Sequence, residues 1–180
     1  MLKIIPCLSA LCFLTSCTIT QRGCEQGNWY ERGQQDGAQG RAESYVHDYQ
    51  KICSKHGIVV DQSAWAQGRI TGLKSYCTIE NIYDQGTKGR SLKPVCPTKD
   101  LDSLRASHAL GYKYYTIGRE IDDLERERNA LLRDYNNAAD GPEGDSIRRF
   151  SRTEIHHLEF RIRMLYIEQR RYDDRILDQL

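Results

Sequence analysis

The 180-residue sequence lacks any run of about 20 apolar residues, the length that a permanent membrane-spanning helix needs. Its apolar content is 39% and its mean hydropathy is −0.68, so little apolar surface is available for a core. It also lacks a surplus of either charge, with 26 basic and 25 acidic residues. That balance gives no field that would attract nucleic acid or anionic lipid, and no nucleic-acid partner is expected.

Motifs that define common enzymes are missing as well. The sequence contains neither a Gly-x-Ser-x-Gly nucleophile motif nor a His-Glu-x-x-His metalloprotease motif. A hydrolase could in principle use Asp36, His47, His56 or His108. No partner acid or nucleophile stands at a readable spacing from Asp36, however, and a carboxylate of this kind is more often a structural hydrogen-bonding group. We therefore expect no enzymatic activity and no cofactor.

The first residues are typical of a bacterial lipoprotein signal. Lys3 gives a positive start, Ile4–Leu14 is a short apolar segment, and Leu14-Thr15-Ser16-Cys17 has the pattern of a lipobox. This pattern predicts a signal peptide at residues 1–16 and acylation of Cys17, which would anchor the chain to a membrane. Thr18 follows the cysteine where retention in the inner membrane usually requires Asp. The outer membrane, with the protein facing the periplasm, is therefore the expected location.

Ordinary secretion is the alternative to lipidation. It would need a cleavage site with small residues two positions apart, and Ala10-Leu11-Cys12 and Ser16-Cys17-Thr18 match that pattern only loosely. An uncleaved anchor fits less well, because polar residues begin at Thr18. The lipobox remains the better match.

Cysteine usage also indicates export. Removal of the signal peptide and lipidation of Cys17 leave Cys24, Cys53, Cys77 and Cys96, an even number that favours disulfides in an oxidising compartment. We favour sequential pairing, Cys24 with Cys53 and Cys77 with Cys96, because each bridge then encloses one recognisable unit. The rival hypothesis is a zinc site, since Cys53 and His56 have C-x-x-H spacing and His47 lies nearby. No second paired cluster supports it, and no metal is predicted.

Residues 17–27 are polar and predict a lipidated tether, and residues 28–112 predict a small glycine-rich helical domain. Asn28 and Asp61 are placed to cap two helices. Glycines in both helices recur at helical spacing, which removes side chains from one face and predicts close packing of short helices. A third copy of the pattern is looser and involves either Gly111 or Gly118. The glycines of the first two helices are Gly33, Gly37, Gly40, Gly68 and Gly72.

Two further segments complete this domain. Ala42–Cys53 has apolar residues at helical spacing and predicts an amphipathic helix that ends near Gly57. Ile79–Pro97 has turn residues and no helical period, so it predicts a short irregular hairpin or loop closed by the Cys77–Cys96 bridge.

The ordered motifs of this region resemble domain-of-unknown-function family 2799. They run from Trp29-Tyr30-x-x-Gly33-x-x-Asp36-Gly37-x-x-Gly40, through Tyr49-x-x-x-Cys53-x-x-x-Gly57 and Asp61-x-x-x-Trp65-x-x-Gly68-x-x-x-Gly72-Leu73-x-x-Tyr76-Cys77, to Gly86-x-x-Gly89 and Cys96-Pro97. The resemblance covers about Cys24–Ile121. Ile82 stands where a glycine is common and His108 where an aromatic is usual. The resemblance implies a small bacterial envelope lipoprotein and supplies no activity.

Residues 113–180 predict a long antiparallel helical hairpin resembling a coiled coil. Apolar residues follow steps of four and three on either side of a break at residues 140–144, which contain Gly141 and Pro142. Arg128, Ser151, Gln169 and Gln179 interrupt the seam. The apolar seam residues are Ile117, Ile121, Leu124, Leu131, Tyr135, Ala138, Ile155, Leu158, Ile162, Leu165, Tyr172 and Ile176. His156 and His157 are adjacent and badly placed to chelate together, so solvated histidines are expected.

The fold class is thus mainly α: a small disulfide-stapled helical domain, then the helical hairpin. The expected function is that of a structural or protein-interaction lipoprotein that meets an envelope protein through the hairpin. An alternative is binding of a cell-wall polymer by aromatic side chains of the first domain, and a hydrolase is a weaker one. The aromatics considered for polymer binding are Trp29, Tyr30, Trp65 and Tyr83. For the two tryptophans, which lie beside glycines, a place in the core is expected.

Overall fold

The structure is a computed structural model that describes residues 20–177, with side chains described for residues 20–174. The predicted signal peptide at 1–16, the lipobox and Cys17 lie outside the described residues, as does Gln179. Within residues 20–177 the chain forms seven α-helices and no strand. They are α1 (Gln21–Glu25), α2 (Trp29–Ala38), α3 (Val46–Cys53), α4 (Gln62–Tyr76), α5 (Ile79–Thr87), α6 (Leu101–Asn137) and α7 (Pro142–Leu177). The mainly α fold class is confirmed.

Helices α2 and α4 begin at the predicted caps. The Asn28 side chain accepts a hydrogen bond from the backbone N–H of Glu31 at 3.2 Å, and the Asp61 side chain accepts one from Ala64 at 2.9 Å. Each bond satisfies a donor that the first turn of a helix leaves free. Both helices start where the sequence predicts.

The predicted close packing of the glycines is confirmed between α2 and α4. Glycines of each helix lie directly against the backbone of the other, so that a Cβ would overlap a carbonyl oxygen. The carbonyl oxygens belong to Trp65 for Gly33, Arg69 for Gly37, Tyr30 for Gly68 and Gln34 for Gly72. The contact is therefore reciprocal, and it offsets the cost of about 1 kcal/mol that each glycine imposes on a helix.

Gly40 has a different role from the one predicted. It lies beyond the end of α2 with φ +62°, a left-handed conformation that glycine adopts without strain. The missing side chain also leaves room for the Tyr76 ring. Gly40 is thus a turn residue that receives an aromatic ring, and it does not belong to the packed helix face.

The prediction for Ile79–Pro97 is wrong in its first half. Residues Ile79–Thr87 form α5, whose N-terminus is capped by the Thr78 hydroxyl. The helix is only nine residues long, and Gly86, which resembles a turn residue in the sequence, instead packs against α6. The irregular segment is reduced to residues 88–97, which the Cys77–Cys96 bridge closes as predicted.

The pair α5 and α6 repeats the design of α2 and α4. A Cβ at Gly86 would meet the backbone of α6, and one at Gly111 would meet the Tyr83 carbonyl of α5. Gly89 has φ +67° and receives the Tyr115 ring, as Gly40 receives that of Tyr76. The looser third copy of the glycine pattern is therefore the one that contains Gly111.

Hydrogen bonds at the two turns correspond as well. The backbone N–H of Arg41 donates to the Asp36 carbonyl at 2.9 Å, and that of Arg90 donates to the Gln85 carbonyl at 3.0 Å. Each turn then accepts a side chain from the packed helix. Arg69 Nε donates to the Arg41 carbonyl and His108 Nε2 donates to the Arg90 carbonyl, both at 2.7 Å. The domain is consequently built from two copies of one glycine-packed helix pair.

Part of the predicted tether at residues 17–27 belongs to the folded domain. Residues Gln21–Glu25 form α1, and within it Cys24 is buried and bonded to Cys53. A chain held by a core disulfide cannot behave as a flexible linker, so the fold begins before residue 28.

Helix α6 runs without interruption from Leu101 to Asn137 and so crosses the predicted domain boundary at 112/113. Its first turns belong to the second glycine-packed pair, and its remainder packs antiparallel on α7 as predicted. The chain reverses at residues 138–141, where the Arg148 guanidinium donates to the Ala138 carbonyl at 2.9 Å. Pro142, predicted as part of the break, is the first residue of α7, where its missing N–H costs nothing.

Candidate interaction surface

The carboxylate of Asp36 lies in the core of the first helix pair and is 4% exposed. Its Oδ2 accepts hydrogen bonds at 2.9 Å from the Tyr49 hydroxyl and from the Trp65 indole, and its Oδ1 pairs with Arg41 at 3.1 Å. Burial raises the pKa of Tyr49, and the hydrogen bond to Asp36 raises it further. These contacts make Asp36 a structural hydrogen-bonding residue, as the sequence predicts.

Both predicted disulfides are present. Cys24 bonds to Cys53 across 29 residues, and Cys77 bonds to Cys96 across 19. The alternative zinc site needed a free thiolate at Cys53, which the disulfide consumes. Among the described residues, no three His, Cys, Asp or Glu side chains come together as metal ligands.

The aromatic residues considered for polymer binding are engaged within the fold. Trp29 and Trp65 are buried in the core, as predicted for them. The Tyr30 hydroxyl bonds to Thr71 at 3.1 Å, and the Tyr83 hydroxyl donates to Asp173 of α7 at 2.6 Å. Burial, followed by this hydrogen bond, raises the pKa of Tyr83. Tyr83 thus fastens the last turns of α7 to α5.

The inner seam of the hairpin follows the predicted heptads. Its apolar side chains are buried or half-buried between α6 and α7. The residue pairs that cross the interface run in opposite chain directions. Arg161 meets Glu120 at 3.2 Å, while Gln169 donates to the Tyr114 carbonyl at 3.2 Å. The buried and half-buried members are Ile117, Ile121, Leu124, Leu131, Leu158, Ile162, Leu165 and Tyr172.

Gly118 was the alternative to Gly111 as the glycine of the third pattern. Its missing side chain makes room for Gln169, the polar residue of the seam. A Cβ at Gly118 would lie 2.9 Å from Gln169 Nε2. The glycine therefore lets the amide reach the backbone of α6. A polar seam position with one defined partner fixes the register of the two helices.

The opposite side of α7 carries apolar residues that face solvent. Phe160, Met164 and Ile167 are 56%, 50% and 50% exposed, although they follow the i, i+4, i+7 spacing of a buried helix face. Residue 160 is about 200° around the helix from Leu158, so it points away from the inner seam. We call these three residues the outer edge of α7.

Basic side chains border this outer edge. Arg163 and Arg170 line a shallow groove of about 460 Å³ together with Tyr166 and Ile167. Neither arginine makes a salt bridge to another side chain in the described part of the molecule. The surface is therefore apolar in the middle, with unpaired positive charge along one flank.

Sequence reasoning from the inner heptads missed this surface. The signal was present, because Phe160, Met164 and Ile167 follow a heptad of their own, displaced from the seam at Leu158, Ile162 and Leu165. Two heptad patterns on opposite sides of a helix are typical of a helix that packs against two neighbours.

One comparison with known proteins gives a match, and it covers the first part of the chain. Residues 28–113 match the family described as "Protein of unknown function (DUF2799)", which confirms the family resemblance seen in the sequence motifs. The matched region contains both glycine-packed helix pairs and the second disulfide, and it ends within α6, before the hairpin. No curated protein and no solved structure matches the chain. No helix of residues 20–177 is long and apolar enough to cross a membrane.

Proposed function

We propose that this protein is an outer-membrane-anchored periplasmic lipoprotein without enzymatic activity, and that its helical hairpin is a docking element for another polypeptide of the envelope. The outer edge of α7 carries this proposal. Exposed large apolar residues in a continuous stripe cost solubility and usually mark an interaction site. A helix of 36 residues also gives the partner a surface about 54 Å long.

The lipobox supports the anchoring part of the proposal. Cys17 would hold the chain at the membrane, and the two disulfides fit an oxidising compartment such as the periplasm. The folded domain begins only a few residues after Cys17, since α1 starts at Gln21 and is tied to the core through Cys24. The hairpin would therefore extend from a domain held close to the lipid surface.

Anchoring is tested with the full chain and its Cys17→Ala variant in a bacterial host fed labelled palmitate. We expect label and membrane fractionation for the wild-type chain, and loss of both for the variant. Label that persists in the variant, or a wild-type chain that is secreted without label, would overturn the anchoring part.

Docking is tested with a photoreactive amino acid placed at Met164 in the full chain in intact cells. Arg133, which lies on the exposed side of α6, is the matched control position. We expect a discrete crosslinked product from position 164 and none from position 133. A lack of product from position 164, with wild-type protein levels, would contradict the docking function.

A further inference from the structure

The outer edge of α7 belongs to a longer heptad pattern. Positions three and four residues apart extend the stripe toward the hairpin turn, where Phe150 is also largely exposed. Polar residues occupy two of these positions, which favours one defined register over sliding. The pattern comprises Phe150, Thr153, His157, Phe160, Met164 and Ile167.

The two flanks of this pattern carry different charges. On one flank every seventh residue is basic or histidine, namely Arg149, His156, Arg163 and Arg170. On the other flank, glutamate and arginine alternate as Glu154, Arg161 and Glu168. Within the described side chains, Arg163, Glu154 and Glu168 form no salt bridge. Their charges are therefore available to a neighbour.

On the basis of the proposed docking function, we propose that the partner of the outer edge is a second copy of this chain, packed in parallel through α7. Parallel helices bring each residue of one flank beside the residue five positions later on the opposite flank of the other helix. Arg149 then meets Glu154 of the second copy, and Arg163 meets its Glu168. Two-fold symmetry makes each of these attractive contacts twice.

Two further flank contacts are not attractive, and one of them, Arg170 with Arg175 of the second copy, lies beyond the last residue of the apolar stripe at Ile167. His156 meets Arg161 of the second copy, but Arg161 already pairs with Glu120 of its own chain at 3.2 Å. An antiparallel pair would instead place the basic flank against itself, with arginines facing arginines and histidine. Like charges at such positions are destabilising, so the charge pattern selects the parallel orientation. Two chains anchored near their N-termini in one membrane would also project their hairpins in the same direction.

The geometry is tested with Ile167→Cys in the full chain, expressed in an oxidising compartment and read on a non-reducing gel. In the parallel pair this position faces its own copy, so a disulfide-linked dimer is expected. Phe160→Cys is a second variant with the same expectation. Arg133→Cys, on the exposed side of α6, is the control and should remain monomeric. Equal dimer yields from positions 133 and 167 would reflect random collisions and overturn the proposal.

The charge pairing is tested by exchange within the Ile167→Cys background. Arg163→Glu and Glu168→Arg should each lower the dimer yield about fivefold, because each replaces two attractive contacts by repulsive ones. The double variant restores opposite charges and should recover most of the yield. Failure of the double variant to recover would contradict the parallel register.

Crosslinking from Met164 separates this inference from the proposed function. A product at twice the chain mass, containing only this protein, supports the second copy. A product with a different polypeptide leaves the docking function intact and overturns the inference, and a product with lipid overturns it as well. Absence of any product contradicts both.

Discussion

Trp65 and Asp36 are joined by a hydrogen bond of 2.9 Å between the indole Nε1 and the carboxylate Oδ2, in the middle of the first helix pair. The same oxygen accepts the Tyr49 hydroxyl, so one buried charge connects α2, α3 and α4. Asp36→Asn keeps the shape and removes the charge. We expect a loss of roughly 3 kcal/mol in the free energy of unfolding, measured with urea. Asp48→Asn, at an exposed position on α3, should change it by less than about 0.5 kcal/mol.

Gly37→Ala separates packing from helix propensity. Propensity alone would stabilise α2 by about 1 kcal/mol. The new methyl group would overlap the Arg69 carbonyl, which is backbone and cannot move aside, so we expect a net loss of about 3 kcal/mol or more. Gln35→Ala, two residues earlier and on the exposed side of α2, should be neutral or slightly stabilising. A stabilised Gly37→Ala protein in thermal unfolding would contradict the close contact of the backbones.

The two disulfides should contribute comparably. Each closes a loop of 19 to 29 residues, for which constraint of the unfolded chain predicts about 3 kcal/mol. Removing one pair by Cys77→Ser and Cys96→Ser should lower the midpoint of urea unfolding without changing the helical circular dichroism of the folded state. The double variant at Cys24 and Cys53 should lose at least as much, because both sulfurs lie in the core.

The inner and outer sides of α7 should respond differently to truncation. Leu158→Ala removes a side chain from the buried seam, and we expect a loss of about 2–4 kcal/mol. Phe160→Ala removes a larger side chain that contacts solvent, so the stability of the isolated chain should change by less than about 0.5 kcal/mol. A large loss for Phe160→Ala in a monomeric sample would mean that the outer edge is part of the core.

Alkaline pH should weaken the fold through Tyr49 and Tyr83. The pKa of each phenol is raised in the folded state, so the neutral form is favoured there. The stability that this provides is complete below the unfolded pKa of about 10 and is lost as the pH rises above it. Unfolding free energies measured from pH 8 to 11.5 should fall less steeply for Tyr83→Phe than for the wild-type chain. Tyr112→Phe, at an exposed tyrosine, serves as the control.

Local sequence patterns predicted much of this architecture. Caps at Asn28 and Asp61, disulfide pairing by sequence order, and the inner heptads all depend on spacing along the chain, and all are confirmed. The sequence did not predict helix α5, because the helix is short and contains Gly86. A glycine in a sequence is compatible both with a turn and with a helix packed closely on another. The role of Gly40 depends on its contact with Tyr76, and the presence of α1 in the fold depends on the disulfide to Cys53. Both partners are distant in sequence.

The candidate surface shows the same division. The apolar spacing of Phe160, Met164 and Ile167 is visible in the sequence, but a helix with apolar residues on two sides can also lie fully buried. Only the position of α6 shows which of the two sides is already covered. The charges that border the outer edge acquire meaning only after that assignment.

Helix α6 is continuous from Leu101 to Asn137, so it connects the first domain rigidly to the hairpin turn and acts as a lever arm. Its fulcrum is the backbone contact at Gly111, and about 39 Å of rigid helix separates that contact from the hairpin turn. A rotation of about 5° at the fulcrum would displace the turn by about 3 Å at that arm length. The absence of a single methyl group on Gly111 therefore helps to set the position of a hairpin turn about 39 Å away. A substitution at this glycine would change the direction of the hairpin relative to the first domain, although every residue of the outer edge would stay the same.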